Sequence, residues 1–393
     1  MSSESRVVAP AATERAATRA APAASTRVAA IDWMRGFVMV LMIVDHASMA
    51  FDASHLDEDS AMYPGSASSV LPAAEFFTRW MTHICAPTFV FLAGVALALS
   101  IERRVAKGVS PVQIDDSLIA RGAIIGLLDL TVVSLGSGKL NLGVLLAIGT
   151  SMILLSILRR LPTGLLLALA LGWMALGEIV TGWVWAPPGS AQPLAAFLVA
   201  NGALPGLAIK YPIIPWLAIM VLGWVFGRHM VQFDLGKARV APATVLLVAG
   251  IVLLAVFVAL RLSPAGYGDM FLPRTSSIWQ QWLHVSKYPP SLTYYTLELG
   301  LLALGLWVMM KLEPIIGVRQ NGPLLVFGQT AMFFYLAHRL VLEVPATYFG
   351  LRDTGNLTTT YVVAAAMLVW LYPACRWYRS LRAAHPNSFL RYL

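Results

Sequence analysis

The chain has 393 residues, of which 58% are hydrophobic and only 12% charged, with a mean hydropathy of +0.71. A soluble domain of average composition carries about twice that charged share, so an ordinary water-soluble enzyme, a nucleic-acid-binding domain and a disordered chain are excluded. The net charge of +8, from 28 Lys and Arg against 20 Asp and Glu, would suit an acidic partner, but most of the excess lies in short loops, where it orients a membrane protein.

Residues 1–28 are rich in Ala, Ser and Arg with almost no large apolar side chains. So little apolar surface cannot offset the entropy of ordering, and a disordered cytoplasmic tail is predicted. Residues 29–393 form one transmembrane domain, built of repeated apolar runs of about 20 residues, the length that crosses a bilayer as a helix. In hydrocarbon only helices or closed barrels satisfy the backbone, and the alternation of barrel strands is missing here. The predicted fold class is therefore all-α, a polytopic bundle. Ten spans fall at 30–50, 74–101, 117–136, 140–158, 163–185, 211–227, 241–261, 290–311, 322–345 and 357–376.

With the N-terminus inside, most of the cations lie on the cytoplasmic side. A minority, Arg79, Lys139, Lys210, Arg261, Arg274, Lys287, Arg339 and Arg352, falls in the outer half. That bias favours an N-in, C-in topology with an even helix count. The two cysteines, Cys85 and Cys375, lie far apart in apolar stretches and offer neither a disulfide framework nor zinc spacing, so no metal is expected.

The first span, IDWMRGFVMVLMIVDHA, is the most informative. Asp32, Arg35, Met39, Met42 and His46 follow spacings of three and four and share one helix face. Arg35 and His46 are separated by about three turns, roughly 16 Å of rise, so one face joins a cytoplasmic-side guanidinium to an outer-leaflet imidazole. Asp45 points about 100° away and is placed to orient a histidine of a neighbouring helix. Asp32 and Arg35 also suit a local pair at the helix start.

In the second span, FFTRWMTHICAPTFVFLAG, Arg79 and His83 share a face, and Pro87 predicts a kink beside His83. The outer loop 262–289 ends in HVSKYPPSLTYYTLELG, whose prolines set the entry of the eighth span. In the ninth, Tyr335, Arg339 and Glu343 form a stripe in which Arg339 and Glu343 neutralise each other at i,i+4, while His338 lies about 100° around from Arg339. Ionisable groups at membrane depth are costly and tend to face a bundle interior or a wet cavity. Walker, Rossmann, G-x-S-x-G and H-E-x-x-H signatures are absent.

These segments, IDWMRGFVMVLMIVDHA, FFTRWMTHICAPTFVFLAG and SKYPPSLTYYTLELG, with the C-terminal FLRYL, resemble the bacterial branch of the heparan-α-glucosaminide N-acetyltransferase catalytic-domain family, a group of polytopic transmembrane acyltransferases. The likeness runs from about residue 27 to the end. It implies a bacterial inner-membrane enzyme, its active site toward the extracytoplasmic face. Such an enzyme moves an acetyl or short acyl group from cytoplasmic acyl-CoA, acetyl-CoA in the best-known member, to an amine or hydroxyl of an extracytoplasmic or lipid-linked glycan-type acceptor. A homodimer is implied too. The matching positions are Arg35 and Gly36, Asp45 and His46, Arg79, Trp80, Thr82 and His83, and Lys287, Tyr288, Pro289 and Pro290. The family's catalytic histidine follows its first helix, where this chain offers His46, His55 and His83.

Acyl transfer needs a base that titrates near neutrality, and histidine is the natural side chain. His46 is the first choice as general base or acyl carrier and His83 the second, with Asp45 beside them. Arg79, Lys287, Tyr288 and His338 are expected to bind substrate, the first three as donors to a developing oxyanion. Arg35 is expected to meet a CoA phosphate. The alternative from another class is a proton-coupled transporter or flippase of a small anionic or lipid-linked substrate, with the histidines as a proton relay.

Overall fold

The computed structural model describes residues 28–55, 72–137, 140–185, 191–263, 266–272, 278–386 and 388–392. Residues 1–27 of the expected tail, residues 56–71 between the first and second expected spans, Lys139 and Arg274 lie outside them. The chain is an integral membrane protein, a bundle of helices of which, among the described residues, seven are long and apolar enough to cross a bilayer.

Its elements run in chain order as α1 (Ala29–Phe51), α2 (Ala73–Thr82), α3 (Cys85–Ala106), α4 (Pro111–Leu128), a π-helical turn (Asp129–Val133), α5 (Ser134–Ser137), β1 (Leu140–Leu142), α6 (Val144–Leu158), α7 (Thr163–Val184) and α8 (Pro193–Leu198). There follow β2 (Gly202–Leu204), β3 (Leu207–Ile209), α9 (Ile213–Asp234), α10 (Pro242–Leu262), α11 (Trp279–Leu283), α12 (Leu292–Ile316), α13 (Pro323–Gln329), α14 (Ala331–Tyr348) and α15 (Leu357–Ala384). Successive long helices run between two ends of the bundle. The near end is where α1 begins and α15 finishes; the far end holds β1–β3, α8 and α11.

Four of the ten expected spans differ from unbroken helices. Residues 322–345 form two helices, α13 and α14, bent by 91°. Thr330 makes the break: its hydroxyl donates back to the Val326 carbonyl at 2.8 Å, while its own carbonyl receives Phe334 N–H to start α14. The run 117–136 is interrupted by the π-helical turn at Asp129. In 140–158 only Val144–Leu158 is helical, because Leu140–Leu142 pairs in parallel with Leu207–Ile209, which pairs antiparallel with Gly202–Leu204. This small sheet at the far end is an addition to the expected all-α class. The kink expected beside His83 is present, since α2 stops at Thr82 and α3 restarts at Cys85.

The bundle is assembled around α1, which packs on α2, α3, α12, α13, α14 and α15. Its start is fixed by Glu313 of α12, whose carboxylate accepts the backbone N–H groups of Ala29 at 3.1 Å and Ala30 at 2.9 Å, satisfying donors that a helix start leaves open. Against α13 the backbones touch. A Cβ added at Gly36 would lie 1.9 Å from the Leu324 carbonyl oxygen, and one at Gly328 would lie 1.9 Å from that of Asp32. Small residues allow such close approach where lipid leaves no hydrophobic force to drive helices together.

Candidate functional site

Two cavities meet in the middle of the bundle, and the α1 stripe runs along both. The first opens toward the far end, has a volume of about 740 Å³ and is lined by charged and polar side chains of α1, α2, α14 and the far-end loops. The second lies toward the near end, has a volume of about 250 Å³ and is mostly apolar, with Arg35, Arg121 and Arg382 in its wall. Val144 and Tyr335 line both. Arg35 and Met42 of the stripe face the second cavity, and His46, one turn beyond Met42, faces the first.

At the junction, His46 of α1 meets His338 of α14. His46 Nδ1 lies 2.6 Å from His338 Nε2, the rings stack at 5.0 Å between centroids, and His338 Nδ1 lies 2.8 Å from the Phe334 carbonyl. Tyr335 stands edge-on to both imidazoles, at 6.2 and 5.5 Å between centroids. His46 is partly exposed, whereas His338 is fully buried and lines neither cavity.

The remaining charges of the large cavity are held mainly in pairs, as membrane depth requires. Asp45 binds the Arg79 guanidinium and accepts the Thr82 hydroxyl at 2.8 Å, so it is tied to α2. Glu343 bridges Arg339 of its own helix at 2.9 Å and Arg352 of the following loop at 2.7 Å. The expected i,i+4 pair is thus one arm of a triad. Asp129 is held differently. One carboxylate oxygen, Oδ2, accepts the N–H groups of Gly143 at 2.7 Å and Leu146 at 3.0 Å at the start of α6, a favourable place for an anion. Its other oxygen is buried without a hydrogen-bond partner among the described residues, and Asp129 lines the cavity.

Two tyrosines close the cavity from the loops outside the spans, with Tyr211 Oη and Tyr288 Oη 3.2 Å apart. Burial pushes the Tyr211 phenol well above its usual value. Burial acts on Tyr288 as well, but Lys287, Arg79 and Lys210 outweigh it and hold that phenol below its usual value. Tyr288 is thereby the better poised of the two to interact with negative charge.

In the near-end cavity Arg35 pairs with Asp32 at 2.9 Å, the i,i+3 contact expected from sequence, and also reaches the Gly328 carbonyl at 3.3 Å. Arg382 donates to the Gln329 carbonyl at 3.1 Å. Neither Arg121 nor Arg382 has a carboxylate at ion-pair distance among the described residues. Three guanidinium groups, of which Arg35 is paired with Asp32, stand over an apolar channel, an arrangement chemically suited to several negative charges on a narrow apolar arm. Among the described residues, no three His, Cys, Asp or Glu side chains converge as a metal set.

Of the residues singled out from sequence, Asp45, His46, Arg79 and Tyr288 are brought together on the large cavity, and Arg35 on the small one. His83 is not among the residues lining either. It sits buried in the break between α2 and α3, its ring 6.4 Å from that of Tyr294 and its carbonyl accepting the Tyr294 hydroxyl at 3.3 Å. Lys287 is buried behind Tyr288, its Nζ 5.2 Å from that ring's centroid. Asp129, Arg121 and Arg382 line these cavities without having been expected there. A carboxylate within the run IIGLLDLTVV was a usable signal for the first. The arginines resembled ordinary orienting charge until folding gathered them.

A profile of the family described as heparan-alpha-glucosaminide N-acetyltransferase, catalytic, matches residues 27–259. No curated protein matches the chain.

Proposed function

The chain belongs to the heparan-alpha-glucosaminide N-acetyltransferase catalytic family, and from that premise we propose that it is a membrane enzyme transferring an acetyl or short acyl group from cytoplasmic acyl-CoA to an amine or hydroxyl beyond the membrane. The acceptor class is an extracytoplasmic or lipid-linked glycan. The observation that carries this reading is the pair of cavities that back onto one another at Tyr335 and Val144. A donor bound from one side of the membrane and an acceptor bound from the other would meet beside His46.

The residues of the small cavity fit acyl-CoA by their chemistry. Arg35, Arg121 and Arg382 would hold its phosphates, and the channel formed by Met42, Ile125, Leu145 and Met332 would take its apolar arm. An acyl-CoA supplies an acyl group activated as a thioester. On the opposite side Asp129, in the cavity wall, keeps one buried oxygen without a hydrogen-bond partner among the described residues, which an acceptor N–H or O–H would satisfy on entering. His46, through Nε2, is the base that takes the proton of the attacking amine or hydroxyl, a contribution of about 10²–10⁴-fold in general. Tyr288 and Arg79 are the donors placed nearest to charge that develops in the cavity.

Purified protein given labelled acetyl-CoA and an amino-sugar acceptor should transfer label. Arg121→Ala and Arg382→Ala should each raise the acetyl-CoA KM about tenfold, the worth of one charge-assisted hydrogen bond, with kcat little changed. Failure to bind or hydrolyse CoA, with intact counterflow of some solute, would replace the enzyme by a proton-coupled transporter or flippase.

The near end carries Arg103, Arg104, Lys107, Arg159, Arg160 and Arg228 at the helix ends and loops, which supports an N-in, C-in orientation in a bacterial inner membrane. A cysteine placed at exposed Ser54 should react with an impermeant maleimide in intact cells, and one at Lys107 only after permeabilisation. The reverse pattern would invert the topology and, with it, the side from which CoA enters.

A further inference from the structure

We propose that His338 is a positioning residue that fixes the tautomer of His46 and leaves Nε2 as the basic atom facing the cavity. The proposal deepens the acyl-transfer reading and rests on it for its catalytic consequence, but the hydrogen-bond chain stands independently.

The direction of the chain follows from one fixed end. The Phe334 carbonyl can only accept, so His338 Nδ1, 2.8 Å away, carries a proton. In the neutral ring Nε2 of His338 then holds a lone pair. At 2.6 Å from that lone pair, His46 Nδ1 must be the donor. The remaining nitrogen of His46, Nε2, is unprotonated, and no partner for it occurs among the described residues. His46 is the partly exposed member and lines the cavity, while His338 is sealed behind it. A backbone carbonyl thus does what a carboxylate does where an acid orients a catalytic histidine, without adding negative charge at membrane depth.

The same chain gives the acquired proton a second place to reside. When Nε2 of His46 takes a proton, the Nδ1 proton can pass to Nε2 of His338. His46 is then neutral with hydrogen on Nε2, and His338 is an imidazolium with both nitrogens protonated, Nδ1 still bound to Phe334. The pair holds one added proton in either arrangement, and reversing the shift returns it through Nε2 of His46. Asp45, committed to Arg79 and Thr82, need not orient the ring.

The test uses full-length protein in nanodiscs with ¹⁵N-labelled histidine, the His46 resonances identified by their loss in His46→Gln. At neutral pH the wild type should show a protonated Nδ1 and an unprotonated Nε2 at His46. His338→Phe keeps the bulk and removes the acceptor. It should release His46 to the other tautomer and lower kcat about 10²–10³-fold, less than the about 10⁴-fold lost where a buried carboxylate holds the tautomer of a histidine base, with the acetyl-CoA KM within about threefold. His338→Gln, whose amide oxygen can accept from Nδ1, should restore kcat to within about tenfold of wild type. Protonated Nε2 in wild-type His46, or His338→Phe with kcat within about threefold of wild type, would overturn the proposal. The wild-type spectrum decides even where His338→Phe does not fold. Absence of acetyl transfer by wild type with the predicted tautomer present would remove the acyltransferase reading and leave the hydrogen-bond chain in place.

Discussion

His46→Ala should lower acetyl transfer by about 10²–10⁴-fold, the share that a positioned general base contributes, and should leave acetyl-CoA affinity within about twofold. The split follows from geometry. His46 lines the large cavity and not the one walled by Arg35, Arg121 and Arg382, so its loss removes proton transfer without touching the side chains proposed to hold the donor. Single-turnover transfer from labelled acetyl-CoA measures the first quantity, and equilibrium dialysis measures the second. Unchanged turnover would remove His46 from the mechanism. His83→Ala is the companion experiment. Its ring packs against Tyr294 in the helix break, so its replacement should act through packing, lowering thermal stability while the folded fraction retains kcat. A loss of kcat equal to that of His46→Ala in fully folded protein would transfer the role to His83.

Gly328→Ala carries the largest expected effect on stability. Helix propensity alone would favour alanine by about 1 kcal/mol. The added Cβ, however, would stand 1.9 Å from the backbone oxygen of Asp32, where no side chain can swing aside, so α13 must move off α1. Overpacking of this kind costs about 1–3 kcal/mol and occasionally more, and a rigid backbone contact belongs at the upper end. Gly328 also lines the small cavity and accepts from Arg35, so acetyl-CoA affinity should fall together with the melting temperature. Gly36→Ala, facing the Leu324 carbonyl, should behave alike. Gly172→Ala, with nothing within 4 Å of the new Cβ, is the control that should be neutral or mildly stabilising. A Gly328→Ala protein as stable as wild type would show that α1 and α13 tolerate separation.

The α1 stripe shows how far the linear pattern reaches. Spacings of three and four put Arg35, Met42 and His46 on one face, and that face does run along both cavities. The ninth apolar run shows where the pattern stops. Its composition reads as one helix, but the Thr330 hydroxyl competes for the Val326 carbonyl and the chain turns by 91°. The turn swings Gly328 onto α1 and Gln329 into the wall of the small cavity. A break of that kind depends on which helix lies alongside, and hydropathy does not register it. The strand at Leu140–Leu142 escaped for the same reason, since its partner lies more than sixty residues later.

That the chain is a helical membrane protein of this acetyltransferase family is legible in its linear order, because the length and apolarity of its runs are local quantities and the motifs are contiguous. The same order marks His46 as exceptional, since a histidine ending an apolar span stands out without any partner. Only folding makes His338, 292 positions away, that partner, binds Asp45 to Arg79, and brings Arg121 and Arg382 to Arg35. Hydrogen bonds and converging charges act over about 3 to 4 Å, a distance that only the packing of helices can bring about between residues so far apart along the chain.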